Sequence, residues 1–258
     1  MRRLHEAGDR VSKMGDDSGN YVYLNYPFSC GTNNIPMKKI FQAGFILLIM
    51  SLTLTTVMVS AQDIILPAPH RSGGKPLMDA LNERQSLRTF TSDNLSGQQL
   101  ADLLWAAWGI NRPDGHRTAP SSHNRQEMDV YVTLETGLYL YDASKNILQQ
   151  IHNKDIRALT GTQDFPATAP VNLVYVSDMT KRGKKEGDTI TDTDLLSSWA
   201  NTGFMAQNVY LYCASEGLGC VIRAMVARDQ LAKEMNLNTS QVIILAQTVG
   251  VPATKKGE

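Results

Sequence analysis

The sequence predicts an α+β fold, with helices packed on a central, mostly antiparallel sheet. Three observations lead there. Residues 130–134 and 138–141 are short β-rich runs that reverse at Gly137, which is how a hairpin reads. Residues 96–108 and 195–216 repeat apolar positions at helical spacing. Finally, helical and strand-like segments neither alternate strictly nor fall into two separate blocks. No internal repeat is visible.

The 258 residues are 42% hydrophobic and 19% charged, a composition that supports a packed core in one or two domains. Lysine plus arginine number 25, as do aspartate plus glutamate, so no net field draws the chain to nucleic acid. The three cysteines, Cys30, Cys213 and Cys220, form no CxxC, which argues against a zinc site or a disulfide framework.

Met37 precedes Lys38-Lys39, an apolar run over 40–59, and the small-residue site Val59-Ser60-Ala61. These are the parts of a secretory signal peptide. The expected organisation is a non-native or disordered leader at 1–36, a signal peptide at 37–61 and one exported domain at 62–258, periplasmic or secreted. The alternative is an uncleaved membrane anchor at 40–59. That run is barely long enough to span and carries Gln42, Ser51 and several threonines.

Residues 62–76, rich in proline and glycine, read as an extended lead-in. A short helix is expected over 77–82. Ser96 and Gln99 form a capping box for the next helix, whose stripe is Leu100, Leu103, Leu104, Ala107 and Trp108. Gly109 is its stop. Residues 111–126 are a loop, followed by the hairpin. Residues 147–159 read as helix and 171–176 as a strand introduced by Pro170. The basic 181–194 stretch reads as a solvated loop. In the long 195–216 helix, Leu196, Trp199, Gly203, Ala206, Tyr210 and Cys213 lie close to one stripe. Gly203 costs about 1 kcal/mol against alanine, so its place suggests close approach of another backbone. Gly217-Leu218-Gly219 ends that helix. A strand from Cys220, a short helix over 229–235 and an apolar strand over 242–249 follow, the last interrupted by Gln247 and Thr248.

GxxxxGK[ST], HExxH and GxSxG are all missing, and no strand is followed by GxGxxG. The histidines after the leader, His70, His116, His123 and His152, are scattered, which argues against a metal site. Three polar clusters remain. Arg84, Gln85, Ser86 and Arg88 place two guanidiniums, an amide and a hydroxyl within five residues. That set suits a phosphate and a polyol chain, because arginine pairs with phosphate oxygens through a planar fork. A solvated surface loop has the same composition. Pro120, Ser121, Ser122 and Asn124 form a rigid turn whose short polar groups can meet the heteroatom edge of a planar ring. An ordinary turn-rich loop, or a hydrolase built on Ser122 and His123, are the alternatives. Adjacent residues seldom point at each other, which weighs against the hydrolase. Lys255 and Lys256 form the third cluster and alone signify nothing.

In order and spacing these clusters resemble the nitroreductase family. The resemblance rests on Arg84-Gln85-Ser86-Leu87-Arg88-Thr89-Phe90, Pro120-Ser121-Ser122-His123-Asn124-Arg125-Gln126, Gly217-Leu218-Gly219, Gly250-Val251-Pro252 and the basic tail. The approach Arg117-Thr118-Ala119-Pro120-Ser121 is similar to the branch of thiazole- and oxazole-forming dehydrogenases. The resemblance implies an α/β/α sandwich and a homodimer with a shared site. It also implies FMN as cofactor, with NAD(P)H a candidate electron donor. Arg84, Gln85, Ser86 and Arg88 would hold the FMN phosphate and ribityl chain, with Lys255 or Lys256 adding charge. Ser121, Ser122 and Asn124, beside Pro120, would reach the flavin ring of the partner subunit. Ile222, Ala224 and Met225 would lie against the ring. Gln85 stands where the family has arginine, and Ala224-Met225 where it often has Glu-Gly. The implied activity is reduction or oxidation of a small organic substrate such as a nitro compound or quinone. A non-catalytic flavin or ligand binder of the same fold, and a dehydrogenase acting on a peptide or small molecule, are the alternatives.

Overall fold

The computed structural model describes residues 62–253. The leader at 1–36, the signal segment at 37–61, and Lys255 and Lys256 lie outside the described residues. The strands are β1 (Ile64–Ile65), β2 (Met128–Leu134), β3 (Gly137–Asp142), β4 (Ile147–His152), β5 (Val171–Asp178), β6 (Gly219–Arg223) and β7 (Gln241–Gly250). The helices are α1 (Leu77–Glu83), α2 (Gly97–Trp108), α3 (Phe165–Thr168), α4 (Asp192–Glu216) and α5 (Arg228–Glu234). The strands form one sheet in the order β1-β4-β3-β2-β5-β7-β6, every neighbouring pair antiparallel.

Period-2 alternation divides each central strand between two cores. On one face Val130, Val132, Leu173, Tyr175 and Ile244 pack with α2 and α4. On the other, Tyr131, Val174, Val176 and Ile243 pack with Ile156 and with Leu231 of α5. Both faces of β5 are covered, so its run of apolar residues shows no clean alternation. The polar break in β7 is also internal. Gln247 accepts from the Tyr175 hydroxyl at 2.6 Å and donates to the Ala206 carbonyl at 3.2 Å. Thr248 donates to Asn172 Oδ1 at 2.6 Å.

Helix α2 begins and ends where its caps predict. Ser96 Oγ accepts from the Gln99 N–H, Gln99 Oε1 accepts from the Ser96 N–H, and Gly109 closes the helix. Among the described residues, no helix is long and apolar enough to cross a membrane.

Three readings are corrected. Residues 147–159 are not a helix but β4 followed by a 3₁₀ turn over 157–160. Asp142 Oδ1 accepts from the Ser144 and Lys145 N–H groups, and Asn146 adopts φ 54°, so the chain reverses there and pairs with β3. The lead-in contains β1, which pairs with Ile147 and Leu148. On α4 the supposed single stripe divides. Ala206, Tyr210 and Cys213 are buried, whereas Leu196, Trp199 and Gly203 face outward. Helix α3 was not expected at all; Pro166, compatible with a first helical turn, helps start it.

Candidate functional site

After α1 the chain runs along the free edge of β6. Ser86 bridges to Cys220, and the Leu87 N–H donates to the Cys220 carbonyl at 3.0 Å. The close approach requires Gly219, where an added Cβ would meet Leu87 at 3.1 Å and Phe90 at 3.2 Å. The Thr91 N–H then donates to the Val251 carbonyl and the Ala253 N–H to the Thr89 carbonyl, so the chain beyond β7 returns beside this segment. Lys255 and Lys256 follow within three residues.

Tyr210 of α4 braces the segment from below. Its hydroxyl accepts from the Ile222 N–H at 3.0 Å and lies 2.8 Å from Ser86 Oγ. The Arg84 guanidinium stacks 5.2 Å over the Tyr210 ring. Among the described residues neither Arg84 nor Arg88 is paired with a carboxylate. Arg84 and Gln85 are half-buried, whereas Ser86 and Arg88 are exposed. Ile222 continues along β6, with Ala224 and the 62% exposed Met225 just past its end. Gln163 donates to Met225 Sδ and the Thr162 N–H to the Met225 carbonyl, which places the 161–168 segment against the same edge. The structure therefore gathers the first predicted cluster and the Ile222–Met225 stretch on one strand edge. Two cations without a carboxylate partner among the described residues, an exposed hydroxyl and a half-buried amide there match a phosphate-bearing polyol.

The second cluster is a bent loop between α2 and β2. His123, Asn124 and Gln126 have φ of 55°, 52° and 50°. Left-handed non-glycine residues cost of order 1 kcal/mol or more each and collect where function requires them. Pro120 and Asn124 are exposed; Ser121 and Ser122 are half-buried. Ser122 and His123 share no hydrogen bond among the described residues, and His123 projects from strained backbone, so nothing supports a nucleophile–base pair.

The strand that follows the loop and the strand beside Ser86 are offset along the sheet. Met128, just after the loop, is opposite Ser177, which is opposite Val242 of β7. Cys220, beside Ser86, is opposite Val249 of the same strand. Positions 242 and 249 are separated by about 23 Å at roughly 3.3 Å per strand residue.

The basic 181–185 stretch is spoken for internally, consistent with its reading as no phosphate site. Lys181 pairs with Asp129, Arg182 with the buried Glu127, and Lys184 with Asp194. Burial raises the Asp129 carboxyl above its usual range, and Lys181 partly offsets this. Among the described residues no group of three metal-ligating side chains exists.

Two residues near the first cluster gave no sequence signal. Tyr210 looked like one more apolar position on a long helix. Arg223, at the end of β6, is 6% exposed. It donates to the Thr160 carbonyl, to Asn172 Oδ1 at 3.1 Å and to Thr248 Oγ1 at 2.7 Å, and stacks on Phe165. Burial alone depresses its pKa to about 10.

Comparison with known proteins places this arrangement. The nitroreductase family pattern matches residues 81–251. A candidate nitroreductase of Methanocaldococcus jannaschii is 30% identical over 155 residues, which span 56% of this chain and 76% of that one. The crystal structure of a candidate nitroreductase from Ralstonia eutropha JMP134 superposes with a TM-score of 0.70 at 43% identity, covering 76% of this chain and 92% of the other. A candidate nitroreductase from Desulfovibrio desulfuricans, solved in complex with FMN, shares the fold at a TM-score of 0.50 and 18% identity, over 72% and 91% of the two chains.

Proposed function

The chain belongs to the nitroreductase family of flavin-dependent oxidoreductases, and from that premise we propose that two copies of it bind FMN between them and act on a small organic substrate such as a nitro compound or quinone. The observation that carries this reading is the pair of unpaired arginines, Arg84 and Arg88, on an edge that also presents Ser86, Ile222 and Met225.

Arg84 and Arg88 would hold the phosphate, and Ser86 and Gln85 the polyol chain, with Lys255 or Lys256 adding charge. Tyr210 keeps Ser86 in place. Ile222, Ala224 and Met225 would form the wall behind the ring. Pro120, Ser121, Ser122 and Asn124 would come from the partner subunit, since the family's site is shared between two chains. Bound FMN would supply the hydride and electron chemistry, while the chain supplies binding, orientation, electrostatics and exclusion of water. This division of labour accounts for a site without an acid–base pair.

We further propose export, on the strength of Lys38-Lys39, the apolar 40–59 run and Val59-Ser60-Ala61. NAD(P)H is the candidate donor for a reductase. Nicotinamide cofactors are scarce outside the cytoplasm, so an exported enzyme would draw on another donor or run as a dehydrogenase.

The test is the visible spectrum of the purified protein after incubation with FMN and gel filtration. One retained flavin per chain on a dimer is the expected result. Arg84→Ala with Arg88→Ala should weaken FMN binding by roughly 100-fold or more, since each charge-assisted hydrogen bond contributes about 1.5–3 kcal/mol. A colourless wild-type protein would overturn the reading.

A further inference from the structure

Hydrogen-bonding polarity in the 115–126 loop is determined by chemistry alone. A guanidinium only donates and a backbone carbonyl only accepts. Arg117 Nε donates to Gln126 Oε1 at 2.8 Å, while Arg117 Nη1 donates to the Trp108 carbonyl at 2.9 Å. The Gln126 oxygen is thereby directed at Arg117 and its nitrogen away. Gln126 Nε2 faces the Gly115 carbonyl at 3.1 Å, which independently demands the same orientation. The same Nε2 donates to Asn124 Oδ1 at 3.1 Å. With its oxygen engaged, exposed Asn124 turns Nδ2 outward. The Gln126 N–H donates to Ser121 Oγ at 3.1 Å, leaving the Ser121 hydroxyl hydrogen free to donate elsewhere.

We propose that Arg117 and Gln126 are positioning residues that make this loop a donor surface, so that the ligand edge it meets consists of hydrogen-bond acceptors. The inference rests on the FMN reading above, in which the acceptors are carbonyl oxygens or unprotonated nitrogens of the flavin ring. Gln126 is the relay. It converts the one-way character of Arg117 into a fixed Asn124 amide, and its own left-handed backbone (φ 50°) brings its N–H back to Ser121.

The experiment compares FMN affinity, by flavin fluorescence quenching, in wild type, Gln126→Glu and Asn124→Asp, with melting temperature and the bound-flavin spectrum recorded alongside. In Gln126→Glu the carboxylate still accepts from Arg117 but donates nothing. Asn124 then turns over to give its nitrogen inward and its oxygen to the ligand. Asn124→Asp presents an oxygen directly and leaves the relay intact. Both variants should melt close to wild type, bind FMN roughly 10- to 100-fold more weakly, and shift the flavin band alike. Should Gln126→Glu fail to fold, Arg117→Met removes the fixing donor and should weaken FMN severalfold. Gln126→Glu or Arg117→Met binding like wild type while Asn124→Asp binds weakly would overturn the relay. Asn124→Asp binding like wild type would overturn the donor surface. Both results are distinct from a failure of the cofactor reading, in which wild type itself retains no flavin.

Discussion

Arg223 carries a charge into the sheet where no carboxylate among the described residues meets it. Three neutral acceptors and the Phe165 ring stand in for a counterion. Replacing it by methionine leaves the Thr160 carbonyl without this donor, at about 1–3 kcal/mol for a buried group left unmade, whereas Asn172 Oδ1 still accepts from Thr248. Removing a buried charge offsets part of that cost. Arg223→Met should therefore lower the urea-unfolding free energy by about 1–3 kcal/mol, which a denaturation curve reads directly. Nothing in the sequence disclosed this residue, because its partners come from the 157–160 turn, β5 and β7. The predicted site residues at 84–88 and 120–124 were legible for the opposite reason: each cluster is contiguous, and its chemistry shows in a window of seven residues. Tyr210 stayed hidden because an aromatic at helical spacing reads as core, which in part it is.

Elements were legible where their signals are local. The Ser96–Gln99 box and Gly109 bracket α2, and Gly137 turns the hairpin. Residues 147–152 were misread because Ile147, Leu148 and Ile151 are spaced as on a helix. Strand pairing with β1 and β3, remote in sequence or dependent on the Asn146 turn, decides their conformation. The start of α4 carries a pH-dependent cap. Asp194 takes the Lys184 ammonium, the Thr191 N–H and the Thr191 hydroxyl, which together hold its carboxyl far below the usual carboxylate range. The folded state thus binds that proton less readily than the unfolded chain. Its contribution is complete above the ordinary value of about 4 and is lost as pH falls through the lower folded value. Melting temperatures of wild type and Asp194→Asn should differ by a constant amount from about pH 7 to 5 and begin to converge below about pH 4. A gap that persists unchanged into strong acid would assign the cap to Thr191 alone.

At the scale of the whole molecule, α4 turns Leu196, Trp199 and Phe204 outward at 66%, 41% and 47% exposure around Gly203. An added Cβ at Gly203 would meet nothing within 4 Å. An exposed apolar face centred on a helix glycine suits a second copy, the arrangement proposed above. The sequence suggested close backbone approach at Gly203. The resemblance to the family tied that approach to a helix packing against its mate in a second copy, and in the protomer the outward side of α4 is the one Gly203 occupies.

Sharing each site between two chains has a genetic consequence. If each cofactor is held by the arginines of one chain and the loop of another, defects in the two become separable. A chain bearing Arg84→Ala with Arg88→Ala and a chain bearing Asn124→Asp would each be deficient alone. In a mixed dimer one site collects both lesions and the other collects none. Unfolding and refolding an equal mixture should restore FMN to about a quarter of the sites, since half the dimers are mixed and each has one intact site. Two failing proteins would then make a working one, whereas a chain that completes its own site would recover nothing by sharing the tube.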